Sequence, residues 1–230
     1  MVRFVLFLAL SLTLSPFALS QPFQVQAKPE KPTLADITKM MDLGAHSIHL
    51  VVSTNEKNQL VNDSRMLLSD VVKAMEWHTK SYTRYEIKYV IELKTSAKHT
   101  LESIAVHDLL DAYIPLSRIT IQSENFKVLK FWKKKYPEIR LSAIINNQKS
   151  IDTNLANLGF KPHIYSSHHE TLSEQKVANL HKREISVIPW AVNDTISMNR
   201  LIGWQVDGFI TDTPDQSQLL GINQEVKNGN

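Results

Sequence analysis

Segments with the pattern of β-strands alternate along this chain with segments that have the period of α-helices. A helical pattern follows each strand pattern after a short loop. Regular alternation of this kind predicts a parallel sheet covered by helices, and about eight units predict a closed (β/α)₈ barrel. The first strand pattern is short, so the prediction allows an incomplete first strand. The strand patterns cover 22–27, 46–53, 87–94, 118–123, 140–145, 163–166, 185–192 and 206–211.

An open doubly wound sheet is the alternative architecture for alternating strands and helices. That fold binds phosphate at a glycine-rich turn after its first strand, and no such turn follows 22–27. The six glycines of the chain fall mostly at the ends of predicted helices instead. No linker, repeat or low-complexity stretch divides the sequence. The chain is therefore predicted to form one domain with the barrel fold.

The first twenty residues, 1–20, have the features of a secretory signal peptide. Arg3 supplies a positive charge, 4–14 form an apolar run, and Ala18 and Ser20 are small residues where a signal peptidase reads. The apolar run is short for a membrane span, and an uncleaved N-terminal anchor is the alternative. The segment predicts a periplasmic or secreted protein.

The composition excludes several kinds of site. The chain has no cysteine, which excludes disulfides, thiolate metal sites and a cysteine nucleophile. The formal net charge is +3, and the one basic run, 133–135, ends a predicted helix. Lysines in the last turn of a helix interact favourably with its dipole, so the run is interpreted as a solvated helix end. The charge pattern therefore predicts no nucleic-acid partner.

The predicted strand 87–94 has one charged face. Side chains alternate along a strand, so Val90, Glu92 and Lys94 are expected to point into the barrel. The active sites of such barrels lie where the strands end, which is where Glu92 and Lys94 lie. A buried carboxylate and ammonium are costly unless they are paired or bind a ligand. The two residues are interpreted either as a structural ion pair or as part of a metal or phosphate site.

The predicted strand 46–53 directs a histidine to the same interior. Its inward residues are His49, Val51 and Ser53. A lone inward histidine is most often a hydrogen-bonded core residue. The alternative is that His49 is a metal ligand or contacts the substrate.

Further polar and aromatic candidates follow the later strands. Trp190 is interpreted either as core filler or as the wall of a pocket, and Asn193 as a cap for the next helix. Asp212 and Asp215 follow the last strand and are interpreted as turn and cap residues. The pair 168–169 consists of two histidines that are expected to point in different directions, and both are interpreted as loop residues.

Several of these segments resemble motifs of the glycerophosphodiester phosphodiesterase family. The segment VIELKT is similar to the family's Glu-x-Lys strand, and ITIQSENFKVLKFW is similar to its fourth unit. The run VIPWAVNDTISMNRLIGWQVDGFITDTPD resembles the family's closing Trp-x-x-Asn and Thr-Asp-x-Pro motifs. The resemblance covers about 31–222. It implies a (β/α)₈ barrel domain that hydrolyses glycerophosphodiesters with a divalent metal such as Mg²⁺ or Ca²⁺.

The first half of the chain departs from the family pattern. The family's His-Arg-Gly has no match in QAKPEKPTLADI, and its Glu-x-Asp falls on His49 and Val51. Ser64 stands where a catalytic histidine is expected. Of the three carboxylates that hold the family's metal, the resemblance therefore leaves only Glu92 as a metal ligand. Neither catalytic histidine of the family has a match.

The remaining motif residues imply a weakened site. The resemblance implies a phosphate contact for Lys94 and places at the pocket rim for Trp190 and Asn193. One carboxylate and one imidazole hold Mg²⁺ or Ca²⁺ weakly or not at all. The favoured hypothesis is an exported protein of glycerophosphodiester and lipid metabolism that binds a phosphate-bearing small molecule, or a protein partner, with catalysis impaired. One alternative is an active metal-dependent diesterase rebuilt around His49 and Glu92, and another is a structural partner of a catalytic relative.

Overall fold

The computed structural model describes residues 23–83, 86–94, 96 and 98–220, so the predicted signal peptide lies outside the described residues. Within this described part, no helix is both long enough and apolar enough to cross a membrane. The strands are β1 Gln24–Ala27, β2 Ser47–Thr54, β3 Leu60–Asn62, β4 Lys88–Leu93, β5 Ile119–Ser123, β6 Arg140–Ile145, β7 Ile164–Ser167, β8 Ser186–Val187 and β9 Gly208–Thr211. The helices are α1 Leu34–Asp42, α2 Leu68–Tyr82, α3 His99–Asp111, α4 Phe126–Lys135, α5 Ile151–Leu158, α6 Glu174–His181, α7 Thr195–Gly203 and α8 Pro214–Leu219.

The parallel strands form a nearly closed barrel in the order β8-β7-β6-β5-β4-β2-β1-β9. Its two edges meet through backbone hydrogen bonds. Asp207 N–H donates to the Val187 carbonyl at 3.0 Å, and Ile210 N–H donates to the Pro189 carbonyl at 2.8 Å. The prediction of a single-domain (β/α)₈ barrel is confirmed. The four-residue β1 pairs with both β2 and β9, so the first strand is present.

The main hydrophobic core lies between the barrel and the surrounding helices. Tyr89 and Ile91 on β4 are fully buried, as are Ile37 on α1 and Met75 on α2. The alternation of side chains along the strands and the 3.6-residue period of the helices direct these apolar faces toward each other. Each fully buried side chain of this size contributes about 1.5–3 kcal/mol. This layer fixes the barrel and leaves its carboxyl end free for a site.

The short strand β3 was not predicted from the sequence. It pairs antiparallel with the end of β2, and the turn between them includes Asn58 in the left-handed conformation, with φ 56°. The buried Asn62 side chain donates to the Pro32 carbonyl at 2.7 Å. Its oxygen accepts from the backbone N–H groups of Ser64 and Met66, both at 3.0 Å. These bonds hold the loop after β3 close to the loop after β1.

The seventh parallel strand is shorter than the predicted span 185–192. Only Ser186–Val187 form a regular strand, because Pro189 lacks the N–H that a continuous ladder requires. The chain beyond it still follows β7, since Trp190 N–H donates to the Ser167 carbonyl at 3.1 Å. The irregular segment therefore carries Trp190 to the end of the barrel without a full strand.

Candidate functional site

Two adjoining cavities open at the carboxyl ends of the strands, where barrels of this kind carry their active sites. Their volumes are about 440 Å³ and about 320 Å³, and together they are called the barrel mouth here. Its charged and aromatic lining residues are Lys28, His49, Glu92, Lys94, Glu124, Trp190 and Asp212 around the larger cavity, with Glu30 and Asp63 added around the smaller.

Glu92 is the centre of a hydrogen-bonded group in the barrel mouth. Its Oε2 lies 2.8 Å from His49 Nε2 and accepts from Lys28 Nζ at 3.1 Å. The side chain of His49 is 1% exposed and that of Glu92 14%, whereas that of Lys28 is 39% exposed. Lys28 directly follows β1, His49 lies on β2, and Glu92 lies on β4. Because these three strands are neighbours in the sheet, the structure brings the predicted residues His49 and Glu92 together with an unpredicted lysine.

The position beside Glu92 on the neighbouring strand is apolar. In the parallel register of β2 and β4, Val51 lies opposite Glu92. On the other side, Gln122 of β5 lies opposite Glu92, and its side-chain oxygen accepts from Ser142 Oγ at 2.8 Å. Val51 is 5% exposed and lines the smaller cavity. Glu92 is therefore flanked by a valine and an engaged amide rather than by a second carboxylate.

Burial and hydrogen bonding act in opposite directions on Glu92. Burial alone would raise the pKa of Glu92, but the hydrogen bonds from His49 and Lys28 and the charge of Lys28 hold it well below its ordinary value. Burial lowers the pKa of His49 more than the neighbouring carboxylate raises it. Protonation of His49 would also leave an Nδ1 N–H buried without a partner among the described residues, at a cost of about 1–3 kcal/mol. At neutral pH the group is therefore a carboxylate held by a neutral imidazole, which donates from Nε2, and an ammonium.

Lys94 also lines the larger cavity, but it pairs with a different carboxylate. Its Nζ lies 3.4 Å from Asp63 Oδ1, and the two side chains are 58% and 46% exposed. Exposed pairs of this kind are weak. The interpretation of Glu92 and Lys94 as a structural ion pair is not what the structure contains, because Glu92 is paired with Lys28. The ammonium of Lys94 remains accessible at the rim.

Trp190 and Asn193 take different places. Trp190 lines the larger cavity and packs against a small apolar cluster inside the barrel, which includes Ile210. Asn193 is not among the lining residues. Its Nδ2 donates to Asp212 Oδ2 at 2.8 Å, and its Oδ1 accepts from the Asp212 N–H at 2.9 Å. Asn193 thus holds the last two βα loops together, and the cap of α7 is Asp194 instead.

The two histidines after β7 lie outside the barrel mouth. Their rings stack with centroids 4.8 Å apart, so the expectation that they point in different directions is wrong. His168 lines a separate cavity of about 400 Å³. His169 Nδ1 lies 3.2 Å from Arg200 Nη2. Neither histidine is among the residues that line the two cavities of the mouth, so neither adds a ligand beside Glu92.

Sequence reasoning missed several residues of the mouth. The sequence pattern predicts no role for Lys28 or Asp63 and only a turn for Asp212, whereas all three line the mouth. The sequence signal that could have identified two of them is their position directly after a strand. Lys28 directly follows β1 and Asp212 directly follows β9, and residues that follow barrel strands point to the active-site end.

Comparison with known families identifies the chain. The family model for the glycerophosphoryl diester phosphodiesterase family matches residues 21–216. The chain belongs to this family. The predicted resemblance is therefore confirmed, and it extends over both the first half, where the catalytic motifs have no match, and the closing run. No curated protein sequence matches this phosphodiesterase-family chain.

Solved structures of family enzymes share the fold of this family member. A glycerophosphodiester phosphodiesterase from Parabacteroides distasonis has 15% identity and a TM-score of 0.72, with 90% of this chain and 100% of that chain covered. A phosphodiesterase from Oleispira antarctica, solved with the product sn-glycerol-3-phosphate, has 16% identity and a TM-score of 0.72, with coverage of 85% and 95%. At these identities the likeness shows the common barrel.

The donor set of the mouth does not fit the divalent metal of the family. Among the described residues, no group of three or more His, Asp or Glu side chains is arranged to hold a metal ion. Three of the carboxylates at the mouth are engaged, Glu92 by Lys28, Asp63 by Lys94 and Asp212 by Asn193. Ca²⁺ and Mg²⁺ require about six or more oxygen ligands. No chemical step is therefore assigned to a metal in this member of the family.

Proposed function

We propose that this family member binds a glycerophosphodiester or a related phosphate-bearing molecule in the barrel mouth and hydrolyses it slowly or not at all. The observation that carries the binding proposal is that two lysines, Lys28 and Lys94, line one cavity. The histidine of that cavity, His49, is buried, which carries the proposed weakness of catalysis. The structure of the Oleispira antarctica phosphodiesterase with sn-glycerol-3-phosphate supports a phosphate ligand by analogy.

The size and the charges of the larger cavity favour a small phosphodiester. A volume of about 440 Å³ lies within the range of small-molecule pockets, about 300–1,000 Å³. Lys28 and Lys94 supply ammonium groups for a phosphate, but Glu124 and Asp212 line the same cavity. These carboxylates disfavour a dianionic phosphomonoester. A diester carries one negative charge, so glycerophosphocholine is expected to bind more tightly than sn-glycerol-3-phosphate.

The proposed loss of catalysis follows from the state of His49. Its Nε2 donates to Glu92, and its Nδ1 is buried without a partner among the described residues. A general acid or base must reach the atom whose proton it transfers, and each lost transfer costs about a hundredfold to ten-thousandfold in rate. The rebuilt diesterase around His49 and Glu92 therefore has less structural support than binding. Export through the predicted signal peptide is part of the proposal and rests on the sequence alone.

A combined binding and hydrolysis experiment tests this function. Titration calorimetry of the mature protein with glycerophosphocholine is expected to give saturable binding. Lys94→Met should weaken that binding about tenfold by removing a charged hydrogen-bond donor, while Lys127→Met, on the exposed face of α4, serves as the matched control. Choline release is expected to remain at least about a hundredfold below the 1 s⁻¹ that marks slow typical enzymes.

Two results would contradict the proposal. Enzyme-like choline release that Glu92→Ala abolishes would establish the active diesterase instead. Absence of binding to both glycerophosphocholine and sn-glycerol-3-phosphate would favour a role as a partner of another protein.

A further inference from the structure

The group around Glu92 contains a cation of the protein's own. We propose that the Lys28 ammonium takes the place of a divalent metal in the barrel mouth, so that the phosphate group of the ligand is bound directly by Lys28 and without metal. This inference rests on the proposed phosphate-binding function and names the residue that carries it.

The geometry of Lys28 is that of an anchored cation with donors to spare. An ammonium has three N–H donors, and among the described residues Lys28 Nζ makes one hydrogen bond, to Glu92 at 3.1 Å. The side chain is 39% exposed and lines both cavities of the mouth. Glu92 fixes the ammonium on one side, and its other donors are directed away from that contact and are available to phosphate oxygens.

Val51 explains why an ammonium suits this position better than a divalent ion. It occupies the position opposite Glu92 in the register of β2 and β4, where an acidic residue would provide a second set of oxygens. One carboxylate matches the single charge of an ammonium, whereas Mg²⁺ or Ca²⁺ requires several oxygens. His49 uses its Nε2 on the same Glu92 oxygen, and its other nitrogen is buried. A metal would therefore have to displace Lys28 or lie beside a like charge.

Lys28 is also required by Glu92 itself. A carboxylate that is 14% exposed is costly without a positive partner, and the neutral His49 provides a hydrogen bond but no charge. Lys28 completes the pair from the end of β1, a separate strand. The same ammonium thus neutralises Glu92 in the free protein and contacts the phosphate in the bound protein.

The main test compares binding with and without metal. Glycerophosphocholine is titrated into the wild type in EDTA and then in millimolar Ca²⁺ or Mg²⁺, and the affinities are expected to agree within about twofold. Lys28→Met keeps the length of the side chain without its charge and should weaken binding at least about tenfold in EDTA. The control Lys127→Met is expected to bind like the wild type. Binding that requires a divalent ion, or unchanged binding in Lys28→Met, would overturn the inference.

A second variant makes the test independent of the stability of Lys28→Met. The double variant Lys28→Ala with Val51→Asp removes the ammonium and adds a carboxylate opposite Glu92. It is expected to show an increase in melting temperature with Ca²⁺, whereas the wild type shows none. An equal Ca²⁺-dependent increase in the wild type would overturn the inference.

The outcomes separate the inference from the function on which it rests. Wild-type binding that depends on metal contradicts the role of Lys28 but leaves the proposed function intact. Absence of binding of both glycerophosphocholine and sn-glycerol-3-phosphate, with and without metal, contradicts the proposed function and the inference together.

Discussion

A partly buried ion pair lies near each end of strand β4. The two pairs differ in how many hydrogen-bond donors of the cation are used within the protein. Near the amino end of the strand, Glu76 of α2 accepts from Arg118 Nη2 at 2.7 Å and Nη1 at 3.1 Å, and from the Tyr89 hydroxyl at 2.7 Å. Arg118 also donates to the Ile87 carbonyl at 2.7 and 2.9 Å. The Arg118 side chain is 8% exposed, and its recorded hydrogen bonds go to Glu76 and Ile87 within the protein.

Near the carboxyl end of the same strand, Glu92 is held by Lys28 and His49. Here the cation is an ammonium with one recorded partner among the described residues, and its side chain is 39% exposed. At the amino end of β4, the planar guanidinium of Arg118 directs two of its N–H donors at one carboxylate. At the carboxyl end, the ammonium of Lys28 keeps donors free. Lys28 and Glu92 both line the larger cavity of the mouth.

The difference teaches how to distinguish a structural ion pair from one that serves binding. Both pairs are partly buried and both lower the pKa of the carboxylate. A lowered pKa alone therefore does not identify the site. The proposed binding role of Lys28 rests instead on its spare donors and its exposure to the mouth, in agreement with the tendency of (β/α)₈ barrels to carry stability at one end and function at the other.

The largest expected effect lies at the amino end of β4. Arg118→Met removes the guanidinium and leaves Glu76 without a positive partner, so the free energy of unfolding should fall by about 3 kcal/mol or more. Urea unfolding measures the loss, while the affinity of the folded protein for glycerophosphocholine should stay unchanged. Arg183→Met, which breaks an exposed pair with Asp152, is the control and should cost less than about 1 kcal/mol. Equal losses in the two variants would remove the distinction.

A smaller effect is expected for Glu76→Gln, and it should depend on pH. Burial alone would raise the pKa of Glu76, but the hydrogen bonds from Arg118 and Tyr89 lower it below the ordinary value of 4.5. A lowered carboxyl pKa contributes stability that is present above the unfolded pKa and is lost as the pH falls through the folded pKa. The wild type should therefore exceed the variant by about 1–2 kcal/mol at neutral pH. That difference should shrink below about pH 4.5 in urea unfolding measured at several pH values. A constant difference would contradict the ionised state assigned to Glu76.

The sequence was sufficient for the barrel and for one part of the mouth. Alternation along β4 correctly directed Glu92 to the interior, because the side-chain period of a strand is independent of its neighbours. Lys94, one residue beyond the strand, lines the larger cavity but lies exposed at its rim. The partner of Glu92 was beyond this reasoning. Lys28 lies 64 positions earlier in the chain, and their contact exists only because β1 and β4 both pair with β2.

Local backbone chemistry accounts for the other differences. The period of two over 185–192 suggested a full strand, but Pro189 interrupts the ladder and leaves a two-residue β8. β3 has only three residues and follows a polar turn, so its pattern is too short to separate from a loop. Asp63 directly follows β3 and pairs with Lys94 at the mouth. Because β3 was not predicted, neither was this pair.

The smallest expected change in stability is at the rim of the mouth, where Asp63 pairs with Lys94 across 3.4 Å. Asp63→Asn should alter the free energy of unfolding by less than about 0.5 kcal/mol, because both side chains are well solvated. The affinity for glycerophosphocholine should nevertheless rise about two- to threefold at low ionic strength, since a negative charge leaves the neighbourhood of the bound phosphate. The rise should vanish near 1 M salt, where the screening length is about 3 Å.

Glu184→Gln, in an exposed pair with Lys161 that precedes β7, is the control and should leave the affinity unchanged. If Asp63→Asn destabilised the fold as Arg118→Met does, the pair would belong to the structural class, and Lys94 would not be available to the ligand.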